Sequence, residues 1–368
     1  MKQKSGNRYR FLFAGGGTGG HLFPAIAVAE KIKALKPEAE ILFVGTKAKI
    51  EARVVPELGY KFKTIWIKGF ARKFDIQNIL FPFKVLVSLI QSLYINASFK
   101  PRVAIGSGGY VSGPAIWGAN VLGAKVILLE QNSYPGITTR ILEKKAEQVH
   151  ISFEDTRKYL KDNSKVFLTG NPVRESLKII KKEEALKKFN LSSDKKTLLI
   201  LGGSLGAGSV NSAVAESIEL FTRNNIQVIW QTGRNYYESY KDLKSALVWV
   251  NSFIDDMASA FSAADLLVSR AGATTIAEVT ALGIPTVFVP SPNVAANHQY
   301  YNAKSLSDQN AALLLSDSQV KEKLGEMVLS IISDKSSLEL LSENVRKAGK
   351  PEAALIIAQN AIKLAENL

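Results

Sequence analysis

Three glycine-rich stretches, one histidine and one acid–hydroxyl run carry the chemistry that can be read in this chain. The first stretch is Gly15-Gly16-Gly17-Thr18-Gly19-Gly20, closed by His21. The second is Gly106-Ser107-Gly108-Gly109-Tyr110-Val111-Ser112-Gly113-Pro114, and the third is Gly202-Gly203-Ser204-Leu205-Gly206-Ala207-Gly208. Each follows an apolar run and precedes a helical pattern. Turns of this kind let backbone N–H groups approach an anion, and the positive end of a helix dipole adds to the attraction. The plainer alternative is a turn that only lets strand and helix pack closely. None is a Walker A loop, because no Gly-Lys-Ser/Thr follows. Gly15, Gly17 and Gly20 satisfy the GxGxxG spacing, but no acid closes a strand about 20 residues later, as dinucleotide binding requires.

A lone histidine is usually structural. His21 stands beside a six-residue turn containing five glycines, where the backbone must approach something closely, so it reads as a general base. A helix N-terminus disfavours imidazolium, which keeps such a ring able to accept a proton. His298 follows the loop that contains Pro290 and Pro292 and is a candidate to line the same site. Residues 269–285 read SRAGATTIAEVTALGIP. Thr274 and Thr275 fall at a helix start, where hydroxyls either cap the helix or hold a ligand phosphate. Glu278 lies one turn on, and its carboxylate can accept both hydroxyls of a ribose. A capping box serving the helix's own N–H groups fits the same spacing.

Short β-branched runs alternating with helical patterns must position these groups. Strands are expected at Tyr9–Ala14, Glu40–Val44, Phe62–Ile67, Val103–Ser107, Val126–Glu130 and Gln148–Ser152. A second set is expected at Thr197–Leu201, Ile226–Gln231, Leu247–Asn251, Leu266–Ser269, Thr286–Val289 and Ala312–Leu315. Most are continuous apolar runs, as in parallel strands covered on both faces. Helices fill the gaps, for example Phe23–Leu35 and Ser209–Phe221. The pattern restarts near residue 197 after Gly170, Pro172 and a lysine-rich stretch. The expected fold is therefore α/β, with two doubly wound domains. Their expected bounds are 1–168 and 169–345, with a terminal helical segment at 346–368.

Lys and Arg number 47 against 33 Asp and Glu, a net charge of +14, which calls for an anionic partner such as a phosphorylated substrate, an acidic membrane or nucleic acid. No recognised nucleic-acid motif supports the last of these. The chain has no cysteine, which excludes disulfides, thiolate metal sites and a Cys nucleophile. Three histidines leave little for a His-rich metal site. The longest apolar stretch, Ile79–Ile95, contains Pro82 and Lys84 and falls short of the roughly 20 residues that span a bilayer. Around it, Lys68, Arg72, Lys73 and Lys84 interleave with Phe70, Phe74, Ile76, Leu80, Phe81 and Phe83, a pattern suited to docking on a membrane surface. A buried helix with solvated lysines is the competing reading.

Taken together, several of these motifs fall in one family's order. They are Gly16-Gly17-Thr18-Gly19-Gly20-His21 with Pro24, Gly108 through Pro114, Glu130-Gln131-Asn132, Gly170-Asn171-Pro172-Val173-Arg174, Gly202-Gly203-Ser204, Phe253-Ile254-Asp255-Asp256-Met257, Gly272-Ala273 through Glu278, and Gln299. The chain resembles the MurG family within glycosyltransferase family 28, over most of residues 9–345. That resemblance implies a GT-B fold, in which two Rossmann-like domains face each other across a cleft and the last helix returns to the N-terminal domain. It implies inverting transfer of GlcNAc from UDP-GlcNAc to the C4 hydroxyl of MurNAc in lipid I, giving lipid II, with no cofactor and no essential metal.

The resemblance places UDP-GlcNAc contacts on Thr18, Gly19, Gly20, Asn132, Arg174, Ser204, Ile254, Ala273, Thr274, Thr275, Ile276, Ala277, Glu278 and Gln299. In that scheme the Ile254 backbone meets uracil, Glu278 holds the ribose, and Ser204, Arg174 and the Thr274/Thr275 turn hold the diphosphate. His21 is the base or orients the sugar. Gly108, Gly109 and Tyr110 take the acceptor diphosphate. Lys68, Arg72, Lys73, Phe74, Leu80 and Phe81 dock on an anionic membrane. The implied location is peripheral, on the cytoplasmic face of the bacterial inner membrane, with cell-wall synthesis and division proteins as partners. The sequence departs from family usage at Thr274 (Leu in some members), Leu205 (commonly Gln) and His298 (often Gln). Rival readings are a GT-B transferase for another lipid acceptor, a 2-epimerase and a non-catalytic UDP-sugar-binding subunit. The epimerase needs several cleft carboxylates that are not found, and the intact His21 in a two-domain chain argues against the last.

Overall fold

A computed structural model describes residues 9–69 and 80–367. The chain divides into two compact units. Residues up to Arg174 join Pro351 onward in the first, and Glu175–Lys350 form the second. The first unit holds seven strands: β1 (Arg10–Gly15), β2 (Glu40–Gly45), β3 (Lys61–Thr64), β4 (Val103–Gly108), β5 (Lys125–Glu130), β6 (Gln148–Ile151) and β7 (Val166–Leu168). Their order is β3-β2-β1-β4-β5-β6-β7. The second unit holds β8 (Lys196–Leu201), β9 (Ile226–Gln231), β10 (Val248–Asn251), β11 (Leu266–Ser269), β12 (Thr286–Phe288) and β13 (Leu313–Leu314), in the order β10-β9-β8-β11-β12-β13. All pairings between these strands are parallel. Both units are doubly wound Rossmann-type sheets, the pair that defines the GT-B class.

The continuous apolar runs are explained by burial on both faces. In RFLFAG, EILFVG, KVILLE and KTLLIL all but the first residue are buried. One face of the first sheet packs Phe11, Phe13, Val103 and Ile105 against helix Gly19–Leu35 and against Ile357, Ala358, Ala361 and Ile362 of helix Ala353–Glu366. The Tyr9 hydroxyl donates to Glu366 at 2.7 Å and ties that helix to the strand edge. In the second unit, Trp230 is fully buried and its indole N–H donates to Asn211 Oδ1 at 3.0 Å, while Asn211 Nδ2 donates to the Thr232 carbonyl at 2.8 Å. This satisfied polar pair fixes helix Gly208–Arg223 to β9.

Strand order reverses between β1 and β4 in one sheet and between β8 and β11 in the other. Open α/β sheets bind ligands at such switch points, outside the carboxyl ends of the strands. The residues that follow β1, β4, β8 and β11 are the three glycine stretches and the Thr274–Glu278 run. Sheet order alone therefore gathers the motifs into two groups.

Some elements differ from expectation. The first helix begins at Gly19 rather than Phe23, so His21 lies inside its first turn. β3 stops at Thr64, because the Trp66 N–H donates to Gln91 Oε1 at 2.7 Å instead of continuing the ladder. The helix Phe81–Phe99 is inverted relative to an ordinary surface helix. Its buried face is Lys84, Ser88, Ser92 and Asn96. Ser88 and Ser92 donate to the Val85 and Ser88 carbonyls, and Asn96 Nδ2 reaches the carbonyls of Ser92 and Ala115. A Cβ at Gly118 would lie 3.1 Å from the Ser92 Cβ, so small residues bring this helix close to helix Ser112–Val121. Lys84 is thus not part of a solvated basic fringe. It is 8 % exposed, and its Nζ sits 5.7 Å from the centre of the Trp66 ring. The opposite face presents Phe83, Leu86, Ile90 and Tyr94 to solvent.

Candidate active site

In the first unit, the two N-terminal glycine stretches meet around His21. A Cβ on Gly109 would fall 2.5 Å from the Gly16 carbonyl oxygen, and one on Gly108 would fall 2.7 Å from His21 Nδ1. Both glycines also have positive φ, +96° and +77° for Gly108 and Gly109. Only glycine fits this junction. Ser107 grips His21 at both ends. Its hydroxyl donates to the His21 carbonyl at 2.7 Å, and its carbonyl lies 2.9 Å from His21 Nδ1. Gln131 Oε1 is 3.2 Å from the same nitrogen. Both neighbours are acceptors, so Nδ1 carries a proton, and in the neutral ring Nε2 keeps its lone pair. Nε2 has no hydrogen-bond partner among the described residues. Pro24 withholds a helical donor from the Gly20 carbonyl, which loosens the turn just before the ring.

The remaining predicted residues of this unit fall around the same turn or near it. Thr18 is the N-cap of helix Gly19–Leu35, but its side chain makes no capping bond. Gly19 leaves room for the Phe23 ring, whose edge would be 2.8 Å from a Cβ there. The Arg174 guanidinium lies 4.1 Å from the centre of that ring. Tyr110 is exposed, with its ring packed on Gly69. Asn132 is set by Glu130, a buried carboxylate that accepts from the N–H groups of Asn132 and Gly136 and from the Thr139 hydroxyl, at 3.1, 2.9 and 2.6 Å.

Glu51 was not anticipated. It is 1 % exposed, and its carboxylate accepts from Gly17 N–H at 2.9 Å, Thr46 N–H at 3.0 Å and the Thr46 hydroxyl at 2.7 Å. Side chains at Gly16 or Gly45 would strike it at 2.5 Å. The Gly17 N–H is therefore spent on a carboxylate behind the turn rather than offered to an anion. The signal in the sequence is an acid opening the helix after β2, which gains its meaning only from two distant glycines.

In the second unit the turn Gly202–Gly208 follows β8. Gly203 and Gly206 have φ of +84° and +93°, and Ser204 is exposed at the tip. Tyr236 backs Gly206 and Gly208, and helix Gly208–Arg223 has no acid in its first turn. Beside it, helix Ala273–Leu282 follows β11. Its N-cap is Gly272 with no side-chain capping bond, so Thr274 and Thr275 do not form the capping box. Thr274 Oγ1 is buried without a hydrogen-bond partner among the described residues, a hydroxyl left over at a helix N-terminus. Glu278 and Ile276 are buried, while Ala273, Thr275 and Ala277 are partly exposed.

Ile254 N–H donates to Gln231 Oε1 at 2.9 Å, so only its carbonyl remains to meet a base edge. Asp256 caps helix Met257–Ala263 through the Ser259 N–H at 3.0 Å, and the Lys188 ammonium beside it pulls its carboxyl down to about 2. Gln299 Oε1 accepts from Ser291 N–H at 2.9 Å, which leaves its Nε2 for a ligand. His298 opens the same helix.

A second unanticipated residue is Arg270. It donates to the Val289 and Pro290 carbonyls at 3.1 and 3.2 Å, to Asp317 and to the Ser209 hydroxyl at 3.0 Å. It thereby joins the start of helix Gly208–Arg223 to the segments that follow β11, β12 and β13. His150, the remaining histidine, is buried against Phe167, and burial pushes its pKa down to about 4, so it stays neutral. Among the described residues no group of three His, Cys, Asp or Glu could hold a metal ion. Of the predicted membrane residues, Arg72, Lys73 and Phe74 lie outside the described residues, as do Phe70 and Ile76. Leu80 is exposed and Phe81 partly so.

Residues 11–151 fit the glycosyltransferase family 28 N-terminal domain, and residues 197–359 fit its C-terminal domain. The chain is 43% identical over 363 residues to the UDP-N-acetylglucosamine--N-acetylmuramyl-(pentapeptide) pyrophosphoryl-undecaprenol N-acetylglucosamine transferase of Flavobacterium psychrophilum, covering 98% of this chain and 99% of that one. It is also 43% identical over 365 residues to the transferase of the same name from Bacteroides thetaiotaomicron, covering 97% and 98%. The crystal structure of Acinetobacter baumannii MurG superposes with a TM-score of 0.75 at 28% identity, covering 98% of this chain and all of that one. The chain belongs to glycosyltransferase family 28, in its MurG branch.

Proposed function

We propose that this protein transfers GlcNAc from UDP-GlcNAc to the C4 hydroxyl of MurNAc in undecaprenyl-diphosphate-MurNAc-pentapeptide (lipid I), giving lipid II with inversion at the anomeric carbon. The observation that carries the reading is His21, with Nδ1–H turned inward and Nε2 unoccupied at the switch point of the first sheet. Nε2 takes the proton of the acceptor hydroxyl as its oxygen attacks C1. The bond from C1 to the diphosphate breaks, and UDP leaves with the electron pair. Glu278 holds the ribose. The helix N-terminus at Thr274/Thr275, with Ser204 and Arg174, offsets the charge that develops on the leaving diphosphate. Gly108, Gly109 and Tyr110 receive the acceptor diphosphate. The spent Gly17 N–H and the Glu51 carboxylate behind it favour that stretch over the first glycine turn as the anion site.

The reaction proceeds without a metal. Radiolabelled UDP-GlcNAc with a short-chain lipid I analogue should give labelled product at the same rate with and without EDTA. No transfer, or transfer abolished by EDTA and restored by Mg²⁺, contradicts the reading.

The same reading places the protein on the cytoplasmic face of the bacterial inner membrane, near cell-wall synthesis and division proteins. No helix among the described residues is long and apolar enough to cross a bilayer. The inverted helix supports surface docking instead. Trp66, Leu80, Phe83, Leu86, Ile90 and Tyr94 are all exposed, and Lys68, Arg72 and Lys73 stand between Trp66 and Leu80 in the sequence. Inserting apolar side chains next to lysines suits an anionic interface. The triple variant Phe83→Ser/Leu86→Ser/Ile90→Ser should lose at least about tenfold in flotation with anionic vesicles, while UDP affinity stays unchanged. Undiminished flotation rules out this face.

A further inference from the structure

Ser107 supplies His21 with a backbone carbonyl, which almost any residue at that position would provide. Gln131 supplies a side chain, and its identity is a choice. It is 2 % exposed, and its Nε2 donates to the Leu129 carbonyl at 3.2 Å. That bond fixes the amide's orientation, because the reverse orientation would set its oxygen against the Leu129 oxygen. Oε1 must therefore face His21 Nδ1, where it stands at 3.2 Å. Accepting from Nδ1–H excludes the other neutral tautomer and holds Nε2 outward.

The charged groups of the surrounding elements are engaged elsewhere. Glu51, behind the β1 turn, spends its oxygens on Gly17 and Thr46. Glu130, next to Gln131 at the end of β5, spends its oxygens on Asn132, Gly136 and Thr139. Arg174 lies over Phe23, on His21's own helix. On the β4 side the neighbours are Ser107 and Gly108, which do not titrate, and Tyr110, whose ring packs on Gly69. The imidazole thus has two uncharged acceptors at Nδ1 and, among the described residues, no carboxylate bonded to it.

From this arrangement we propose that Gln131 is a positioning residue for proton transfer by His21. Together with the Ser107 carbonyl it fixes the ring as the Nδ1–H tautomer, and it does so with an uncharged acceptor. The inference rests on the reading of His21 as the base. A carboxylate at position 131 would bind the ring just as firmly but would favour imidazolium, which cannot accept a proton from the acceptor hydroxyl.

The test compares Gln131→Glu and Gln131→Met with the wild type and His21→Ala. The readouts are the pH profile of kcat/KM and the histidine ¹⁵N and ¹H resonances of the full-length protein. With only three histidines in the chain, His21→Ala assigns the His21 signals by their loss. In Gln131→Glu the acid limb and the His21 titration should both move up by about one pH unit or more. Activity should be low at pH 7 and recover at high pH. In Gln131→Met, kcat should fall about tenfold, with donor KM unchanged and the acid limb not raised, because the Ser107 carbonyl still accepts from Nδ1 but no longer with a second acceptor to fix the ring.

A Gln131→Glu loss that is uniform across pH would make Gln131 merely structural and overturn the proposal. So would a Gln131→Met variant with the wild-type kcat. Failure of the underlying reading looks different. Turnover that survives His21→Ala removes the base assignment, whereas the NMR shift in Gln131→Glu still reports whether residue 131 controls the ring.

Discussion

Replacing His21 by alanine should lower kcat by about three orders of magnitude while leaving UDP affinity within about twofold of the wild type. The size follows from the role. Without Nε2, the acceptor hydroxyl must lose its proton to water as it attacks, and positioned general bases are worth roughly 10² to 10⁴ in rate. UDP affinity should survive because the ribose, base and most diphosphate contacts are assigned to the second unit. The truncation also leaves the local fold intact. Ser107 still holds the backbone carbonyl of residue 21, and Gly109 keeps its close approach to the Gly16 carbonyl. Turnover and UDP titration of the purified variant check the outcome. Turnover reduced less than tenfold would assign His21 to sugar orientation rather than proton transfer.

Glu278→Ala should act on the opposite term. The carboxylate is buried in helix Ala273–Leu282, one turn beyond the orphan hydroxyl of Thr274. Hydrogen bonds to a charged acceptor are worth about 1.5–3 kcal/mol each. Losing the two from a ribose costs about 3 kcal/mol, or roughly a hundredfold in donor affinity. The expected result is a donor KM raised by about that factor, with kcat at saturating donor changed far less. A deoxyribose form of UDP sharpens the test. The wild type should bind 2′-deoxy-UDP more weakly than UDP, and Glu278→Ala should bind both alike. If the variant still prefers the ribose, another group holds those hydroxyls.

The parts of this site that could be read from the sequence are those whose meaning is local. A run such as KVILLE, short and bounded by turn residues, reads as a strand buried on both faces, and a glycine turn between strand and helix marks a place of close approach whatever lies nearby. His21 and the Thr274–Glu278 segment stand out for the same reason. The parts that could not be read depend on partners far away in the chain. Glu51 is an ordinary helix-opening acid until the sheet puts Gly16 and Gly45 against it. Gln131 matters because β4 and β5 bring it within reach of a ring 110 residues earlier. Arg270 has no role until the helix after β8 and the segments after β12 and β13 converge on it.

Lys84 shows the limit in another way. The four-residue spacing of Lys84, Ser88, Ser92 and Asn96 reveals a helix face but not which way it points. Hydroxyls that bond back to their own helix, together with a glycine on the neighbouring helix, turned that polar face inward.

A crystal structure with UDP bound tests the central claim most directly, since everything rests on the nucleotide sugar being held at the β8–β11 switch point of the second unit. The account predicts the ribose hydroxyls within hydrogen-bonding distance of the Glu278 carboxylate and the diphosphate at the Thr274/Thr275 helix start beside Ser204. UDP bound at the His21 turn of the first unit, or anywhere with its ribose away from Glu278, would contradict it.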